Sequence, residues 1–556
     1  MNTAKRIYGI DLGTTYSCIA YVDEHGKPIV VANAEGQQTT PSVVFFESAN
    51  NIVVGKAAKD VAEMYPDRVV STVKRAMGVP DWIFENNDRK YRPQEISAFI
   101  LRKLVADAER VTGDKITEVV ITCPAYFGVT ERAATRQAGE LAGLKVPYVI
   151  QEPTAAALAY DLSQSEEQVV LVYDLGGGTF DITLIELKKD AINVLCTGGD
   201  HVLGGKNWDE AVASWFAQQF SNHAGVPTEK LTTDPESWQT LLNTAEVAKV
   251  ALSSRSSYSF PMRFEGERVV VDLTRDKFNE LTAHLLERTL SLTDDLLEMA
   301  KAKGHSRIDK LLLVGGSTYM PQVIERVKAR FPFEVRQFDP NQAVAKGAAL
   351  CGYKYYLEGR VADEVARQTG KSASQVDLKR VDQAVRVKAE LAVAQSHGLA
   401  LPAMRALTKP LHIVASKSFG ILITDTATGL QRVNNLIVLN ESVPRRVARR
   451  YVTKDENQTA VLLQCMENRE AVGAEGMTAL EASTRVGCTE LQFTRALPKG
   501  APIEVTFSLA EDGTLSVHGK DLTTHQEVNA EFKTGAIMTV EEVQVSKSRN
   551  LALAVS

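Results

Sequence analysis

Two stretches of the chain, IDLGTTYS at Ile10–Ser17 and YDLGGGTFD at Tyr173–Asp181, carry the same text: a short apolar run, then Asp-Leu-Gly, then a threonine. A strand that ends on an acid and turns through glycine, written twice, predicts two similar half-domains facing each other across a phosphate. Glycine lets backbone N–H groups approach phosphate oxygens with no Cβ in the way, and the turn presents several such donors together. The strand-end acid suits a hydrated Mg2+, which takes few carboxylates and completes its shell with water and substrate phosphate. One such turn alone carries little. Its duplication makes ATP the leading ligand.

The bulk numbers narrow this reading. A chain of 556 residues predicts several domains, and 44% hydrophobic residues is ordinary for globular cores. The net charge of −6 excludes a global basic field for nucleic acid. Six cysteines lie far apart with no CxxC pair, which favours reduced thiols over a disulfide frame or a zinc site. MNTAKRIYGIDLG enters a strand almost at once, and no apolar run approaches membrane-spanning length. The expectation is a cytoplasmic protein with no nucleic-acid or membrane partner.

Strand-like runs (EVVITCPA, QVVLVYDL, KLLLVGGS) alternate with helical periods up to about Tyr356, the pattern of an α/β domain. Helices are predicted over Val129–Leu144, closed by Gly143, and over Gln151–Leu162. Trp208 to Lys303 reads as mostly helical, interrupted by a strand pair in SYSFPMRFEGERVVVDLT. From Leu357 the texture changes. Ser374 with Asp377 reads as a capping box opening a helix that runs to Gly398, with Leu378, Val381 and Val385 on one side. That helix is either a packing helix on the ATPase domain or a dedicated partner surface. After Pro410, short alternating runs such as TAVLLQCM, PIEVTFSL and TLSVHGKD predict a β-sandwich.

The motifs DLGTT, ITCPAYF, EPTAAALAY, DLGGGTFD, GGDHVLGGKNWD and LLLVGGSTYMP, in this order, resemble the 70-kDa heat-shock chaperone family, whose ATPase has the actin and hexokinase fold. The likeness covers residues 1–356 almost continuously. From Ser418 to about Phe532 a weaker likeness to that family's peptide-binding β-sandwich persists in SFGI, SVPRR, TKDENQTAV and PIEVTFSLAEDGTLSVHGKD. The resemblance implies an actin-like α/β ATPase domain of two duplicated lobes over 1–356, a helical insert over 357–409, an all-β sandwich over 410–536 and a short helix over 537–556 in place of the family's helical lid.

It also implies roles. Asp11 and Asp174 match the strand-end acids around Mg2+; Thr14, Thr15, Gly176, Gly177 and Thr179 match the phosphate loops, with Gly13, Tyr16, Gly178, Gly204, Gly205, Gly315, Gly316 and Ser317 beside them. Lys74 matches the lysine that reaches the γ-phosphate and attacking water, and Glu152 and Asp181 match acids that order that water and the ion shell. Each alone could be a strand-ending turn or a surface charge; the ordered joint match is what carries the reading. ATP/ADP, Mg2+ and K+ are the implied cofactors. Pro124 and Arg132 match a proline relay that passes nucleotide state to the domain surface, although a proline after an apolar strand also simply ends it.

The nucleoside end departs from the pattern. Glu246, Lys249 and Ser253 keep the family's contacts, but Val250 and Tyr319 stand where arginines are expected, and Asn341 where Asp is usual. A guanidinium stacks and carries charge, whereas valine offers only apolar contact and tyrosine a ring. Adenine is expected to lie against Tyr319 and to bind more weakly than in typical members. At the surface that receives the J-domain co-chaperone, the corresponding positions hold Ile413, Tyr148 and Gln151. A dedicated rather than general J-domain partner is expected, alongside a nucleotide-exchange factor.

In the sandwich, Ile421, Tyr451 and Val461 fall where the family places its apolar peptide pocket, although alternation along strands also fits plain core packing. Lys454 replaces a small arch residue, the loop from Thr424 to Leu439 reads as long, and RRVARR at Arg445–Arg450 reads as an edge-strand guard or a basic face for acidic clients. With no lid, bound peptide is expected to exchange fast in every nucleotide state. The resemblance thus implies an ATP-hydrolysing chaperone of stress response and protein folding, specialised for few clients. The competing expectation is a nucleotide-dependent regulator or scaffold that binds one folded partner.

Overall fold

The computed structural model of the chain describes residues 6–162, 166–425, 428–468, 476–531 and 536–556. Residues 1–5 and Phe532, at the approach to the first strand and the expected end of the sandwich likeness, lie outside the described residues.

The repeated motif is a repeated topology. In one sheet the strand Tyr8–Asp11 has parallel neighbours Val119–Cys123 and then Val149–Gln151 on one side, and antiparallel Tyr16–Val22 and then Pro28–Val31 on the other. In the second sheet Gln168–Leu175 is flanked in the same order by parallel Lys310–Val314 and Glu334–Gln337, and by antiparallel Phe180–Leu187 and Ile192–Asp200. Gln168–Leu175 is buried along its whole length, which is why QVVLVYDL reads as a near-continuous apolar run rather than an alternation.

Asp11 closes its strand and Asp174 stands one residue before the end of its own, so the two acids emerge at corresponding strand ends. Helices Glu152–Asp161 and Ala343–Thr369 cross between the lobes at small residues. A Cβ on Gly347 would lie 1.7 Å from the Ala155 carbonyl oxygen, so only glycine permits this approach.

The helix from Ala343 runs on to Thr369, so the boundary read at Leu357 falls inside a continuous element. Leu357, Val361 and Val365 extend its apolar stripe and pack on Ala389, Val393 and Met404, which favours uninterrupted helix. The expected capping box at Ser374 is displaced. Ser372 and Gln375 cap a short turn over Ala373–Gln375, Asp377 accepts from the Lys379 N–H at 3.0 Å, and the helix starts only at Gln383. Asp382 caps it by accepting from the N–H groups of Ala384 and Val385, a more complete cap than Ser374 offers. Leu378 and Val381 still pack on the same cluster as Val385, though outside the helix.

The β-rich region consists of a five-stranded and a four-stranded antiparallel sheet, with Phe419, Ile421, Leu463, Phe507 and Val517 in their shared core. Thr424 pairs with Gln431, so much of the stretch from Thr424 to Leu439 that was expected to be loop is the strand Gln431–Ile437. Arg445–Val452 is an edge strand, as the arginine run suggested.

This region is held at two ends. Its entering strand, Leu411–Val414, joins the second ATPase sheet in parallel with Ile192 and Asn193 and pairs with Val443 on its far side. Beyond it, the C-terminal helix Val540–Ala552 returns to the first lobe, where Met538, Val543 and Leu553 enter the core around Phe99 and Leu141. Ala554 and Val555 then add a parallel strand to Asn51 and Ile52. No described helix is long and apolar enough to cross a membrane.

Candidate functional site

Between the lobes lies a cleft of about 590 Å³. Its lining gathers Asp11, Gly13, Thr14, Thr15 and Tyr16 from the first DLG turn, and Asp174, Gly176, Gly177 and Thr179 from the second. Lys74, Glu152, Glu246, Lys249 and Ser253 line it too, as do Gly315, Gly316, Ser317, Tyr319 and Asn341. Residues far apart in sequence thus share one wall because two copies of one turn face each other.

Gly178, Gly204 and Gly205 stand behind the loops. The Gly205 N–H donates to the Gly176 carbonyl at 3.0 Å and its own carbonyl accepts from Lys249 Nζ at 2.9 Å. At Gly177 a Cβ would fall 2.1 Å from Thr15 Oγ1, so glycine is what lets the two turns face each other at this distance.

Lys74 and Glu152 form an ion pair in the cleft wall, 5% and 8% exposed. Burial alone would lower the Lys74 pKa, but Glu152 and then Asp11 outweigh it and the net shift is upward, so the ammonium keeps its proton. The preceding residue but one, Thr72, takes φ +57° to aim this short helical turn.

Asp11, whose carboxylate accepts from Thr122 Oγ1 at 3.0 Å, is raised to about 7 by burial and by the charge of Glu152. Asp174 is raised well above the carboxylate range, again by burial first and then by Glu152, Asp181 and Asp11. Three buried carboxylates therefore crowd around a single paired lysine, and that excess negative charge fits a divalent cation. No group of three or more metal-ligating side chains occurs among the described residues. Asp11 and Asp174 are the residues that would hold Mg2+, largely through water and phosphate.

Asp181 lies one step back from the lining, 1% exposed, where Oδ1 accepts from the Ala125 N–H at 2.8 Å. The adjoining Pro124 and the buried Arg132 lie outside the cleft. Arg132 donates to the Val149 carbonyl at 2.8 Å and to the Asp512 carbonyl of the β-rich region at 3.4 Å.

The sequence reading missed Lys206 and Asp209, both in the cleft lining and both inside the motif GGKNWD. It also missed Arg75, beside Lys74, which donates to the Gly178 carbonyl at 3.0 and 2.9 Å from the opposite lobe.

The family model described as Hsp70 protein matches residues 7–366, well over half of the chain. The chain belongs to the Hsp70 family. That membership carries an actin-like ATPase fold, ATP hydrolysis and a chaperone function at the level of the family. Hsp70 proteins in general use ATP/ADP and Mg2+, bind unfolded polypeptides and work with J-domain co-chaperones and nucleotide-exchange factors.

Against this Hsp70 frame the departures take on geometry. Val250 and Tyr319, 65% and 45% exposed, both line the cleft, so an apolar group and a ring stand in its wall at the positions where the resemblance implies arginines. Ile413 is buried and paired with Val443, the Tyr148 hydroxyl donates to the Glu511 carbonyl at 3.0 Å, and Gln151 Nε2 donates to the Ala125 carbonyl at 3.3 Å. In the sandwich, Ile421 is 4% exposed, and the partly buried Val461 and Tyr451 pack on the same core. The Tyr451 hydroxyl donates to Asn434 Oδ1 at 2.7 Å.

Proposed function

We propose that this protein is an Mg2+-dependent ATPase of the 70-kDa heat-shock type that uses hydrolysis of ATP to ADP and phosphate to control the binding of extended polypeptide segments, for a small set of clients. The observation that carries the reading is the convergence of Asp11, Asp174, Lys74 and Glu152 on the one cleft where the two DLG turns face each other. When bound there, Mg2+ supplies charge neutralisation for the β- and γ-phosphate oxygens. Lys74, kept protonated by its carboxylate neighbours, places a fixed positive charge at the phosphate end. Glu152 and Asp181 position the attacking water and the ion shell, while Tyr319 and Val250 take the adenine.

Asp181, the Ala125 N–H, Pro124 and Arg132 form a short route from the cleft to Asp512, which supports coupling to the sandwich. Ile421, Tyr451 and Val461 are the candidate peptide contacts. Ile413, Tyr148 and Gln151 put uncharged side chains at the positions that receive the J-domain in the family, which supports a dedicated J-domain partner over a general one. Six free cysteines, five of them buried, suit a reducing cytoplasm. A peptide array probed with the full chain in ATP and in ADP tests the reading. Apolar extended hits whose affinity shifts with nucleotide are expected. A complete absence of hits would instead favour a nucleotide-dependent regulator of a folded partner.

A further inference from the structure

Behind the phosphate loops lies a second, smaller cavity of about 60 Å³. It shares Thr14, Thr15, Lys206, Asp209 and Glu246 with the cleft, so the two spaces meet at the phosphate end. Farther in, it is lined by the hydroxyl residues Ser42, Ser71 and Thr72 and the amides Gln239 and Asn243, with Val43 and Val69 on an apolar side. It is about a tenth the size of the cleft and cannot admit a nucleotide, whereas a tetrahedral oxyanion matches its size. Ser42, Gln239 and Asn243 already donate to the Gly13 carbonyl, Asn243 Oδ1 and Glu63, so the hydroxyls of Thr14 and Thr15 at its mouth are the donors it offers.

Four lysines line the two spaces, and three are already neutralised. Lys74 is paired with Glu152, Lys249 Nζ lies 2.7 Å from Asp209, and Lys59 Nζ lies 2.7 Å from both oxygens of Glu246. The fourth, Lys206, is fixed by its backbone N–H, which donates to the Gly177 carbonyl at 2.8 Å. Its ammonium has no hydrogen-bond or ion-pair partner among the described residues. Burial is the main influence on it and lowers its pKa, and the carboxylates nearest it, Asp209 and Glu246, are committed to other lysines. A half-buried cation without a partner is costly unless an anion meets it there.

We propose that this chamber is a binding site for inorganic phosphate, with Lys206 as its cation and Thr14 and Thr15 as hydroxyl donors at its mouth, and that it holds product phosphate apart from the nucleotide. The proposal rests on the ATPase reading for the origin of the phosphate, but the site itself is tested by equilibrium binding. A charge-assisted hydrogen bond to an oxyanion is strong enough for its loss to cost about tenfold in affinity.

The test is titration of inorganic phosphate into the full-length protein saturated with ADP and Mg2+, followed by calorimetry or 31P NMR, for the native protein and for Lys206→Met. The thermal unfolding midpoint of the variant serves as its folding control, and its ADP affinity is measured alongside. Phosphate affinity is expected to fall about tenfold more than ADP affinity does. In a single turnover, the native protein is expected to show a delay between hydrolysis and phosphate release that shortens in the variant. Absence of phosphate binding in the native ADP form, or equal loss of phosphate and ADP in the variant, would overturn the site. A native protein that binds phosphate through Lys206 yet does not hydrolyse ATP would keep the site and remove the ATPase reading instead.

Discussion

Arg132 and Asp512 join the ATPase lobe to the β-sandwich, the guanidinium donating to the Asp512 carbonyl at 3.4 Å while it also holds the Val149 carbonyl. The neighbouring Arg136 adds an ion pair to the Asp512 carboxylate at 3.2 Å. Arg132→Ala is expected to increase amide hydrogen exchange around residues 510–514 and to weaken the response of that segment to nucleotide. Unchanged exchange would show that the contact carries no coupling.

The Lys74–Glu152 pair makes opposite demands on single and double variants. Lys74→Met leaves a buried carboxylate unpaired and is expected to cost about 3–5 kcal/mol of stability, whereas adding Glu152→Gln recovers a large part of that loss. Hydrolysis is expected to fall at least about a hundredfold in both. Denaturant unfolding together with phosphate release checks the pattern, and a double variant no more stable than the single one would contradict it.

At the nucleoside end, Tyr319→Ala removes a half-exposed ring from the cleft wall. A stacking contact is worth about 0.5–1.5 kcal/mol, so ATP affinity should fall roughly threefold to tenfold. Calorimetry giving submicromolar ATP affinity, unaltered by the substitution, would show that adenine does not rest on this ring.

The C-terminal segment is built into the first lobe rather than laid on it. Arg549 pairs with the buried Glu95, Arg102 donates to the carbonyls of Asn550 and Leu553, and Gln137 exchanges hydrogen bonds with the Met538 backbone. Removing residues 538–556 exposes Met538's, Val543's and Leu553's partners in the core and is expected to cost about 4.5–9 kcal/mol, at roughly 1.5–3 kcal/mol for each buried side chain. Thermal unfolding of the truncated chain, with exchange measured at Asn51–Val54, reads this. Unaltered unfolding would mean that the segment only decorates the lobe.

Lys417 sits between Glu131 of the ATPase lobe, at 3.0 Å, and Glu467 of the sandwich, at 2.5 Å. Burial, reinforced by Glu131, raises Glu467 to about 7 although Lys417 opposes this. Its folded pKa therefore lies above the ordinary 4.5, and the folded state retains a proton that the unfolded state has lost. Its stabilising contribution is full below about pH 4.5 and is lost as pH rises through about 7, by about 3 kcal/mol at most. Glu467→Gln should flatten that part of the stability profile. A native profile already flat between pH 5 and 8, and unchanged by the substitution, would place the proton elsewhere.

By itself the sequence determined the two DLG turns. Their acids, glycines and threonines sit next to their strands, and short-range rules of strand and turn were enough to place them there, while their roles toward ATP rest on the resemblance to the Hsp70 family. The same local rules found the helix beginning at Val129, the hairpin around Gly266 and the edge strand of arginines. They misplaced the cap at Ser374 and the boundary at Leu357, because caps compete with one another and packing on Ala389 and Val393 decides where a helix stops.

Only the tertiary structure decided which lysine meets which carboxylate. Lys74 finds Glu152, Lys249 finds Asp209 and Lys59 finds Glu246 across long stretches of chain, leaving Lys206 without a partner among the described residues. The return of the C-terminus to the strand Asn51–Val54 is likewise invisible locally, since two residues of edge strand carry no pattern of their own and gain stability only from the core and sheet they join.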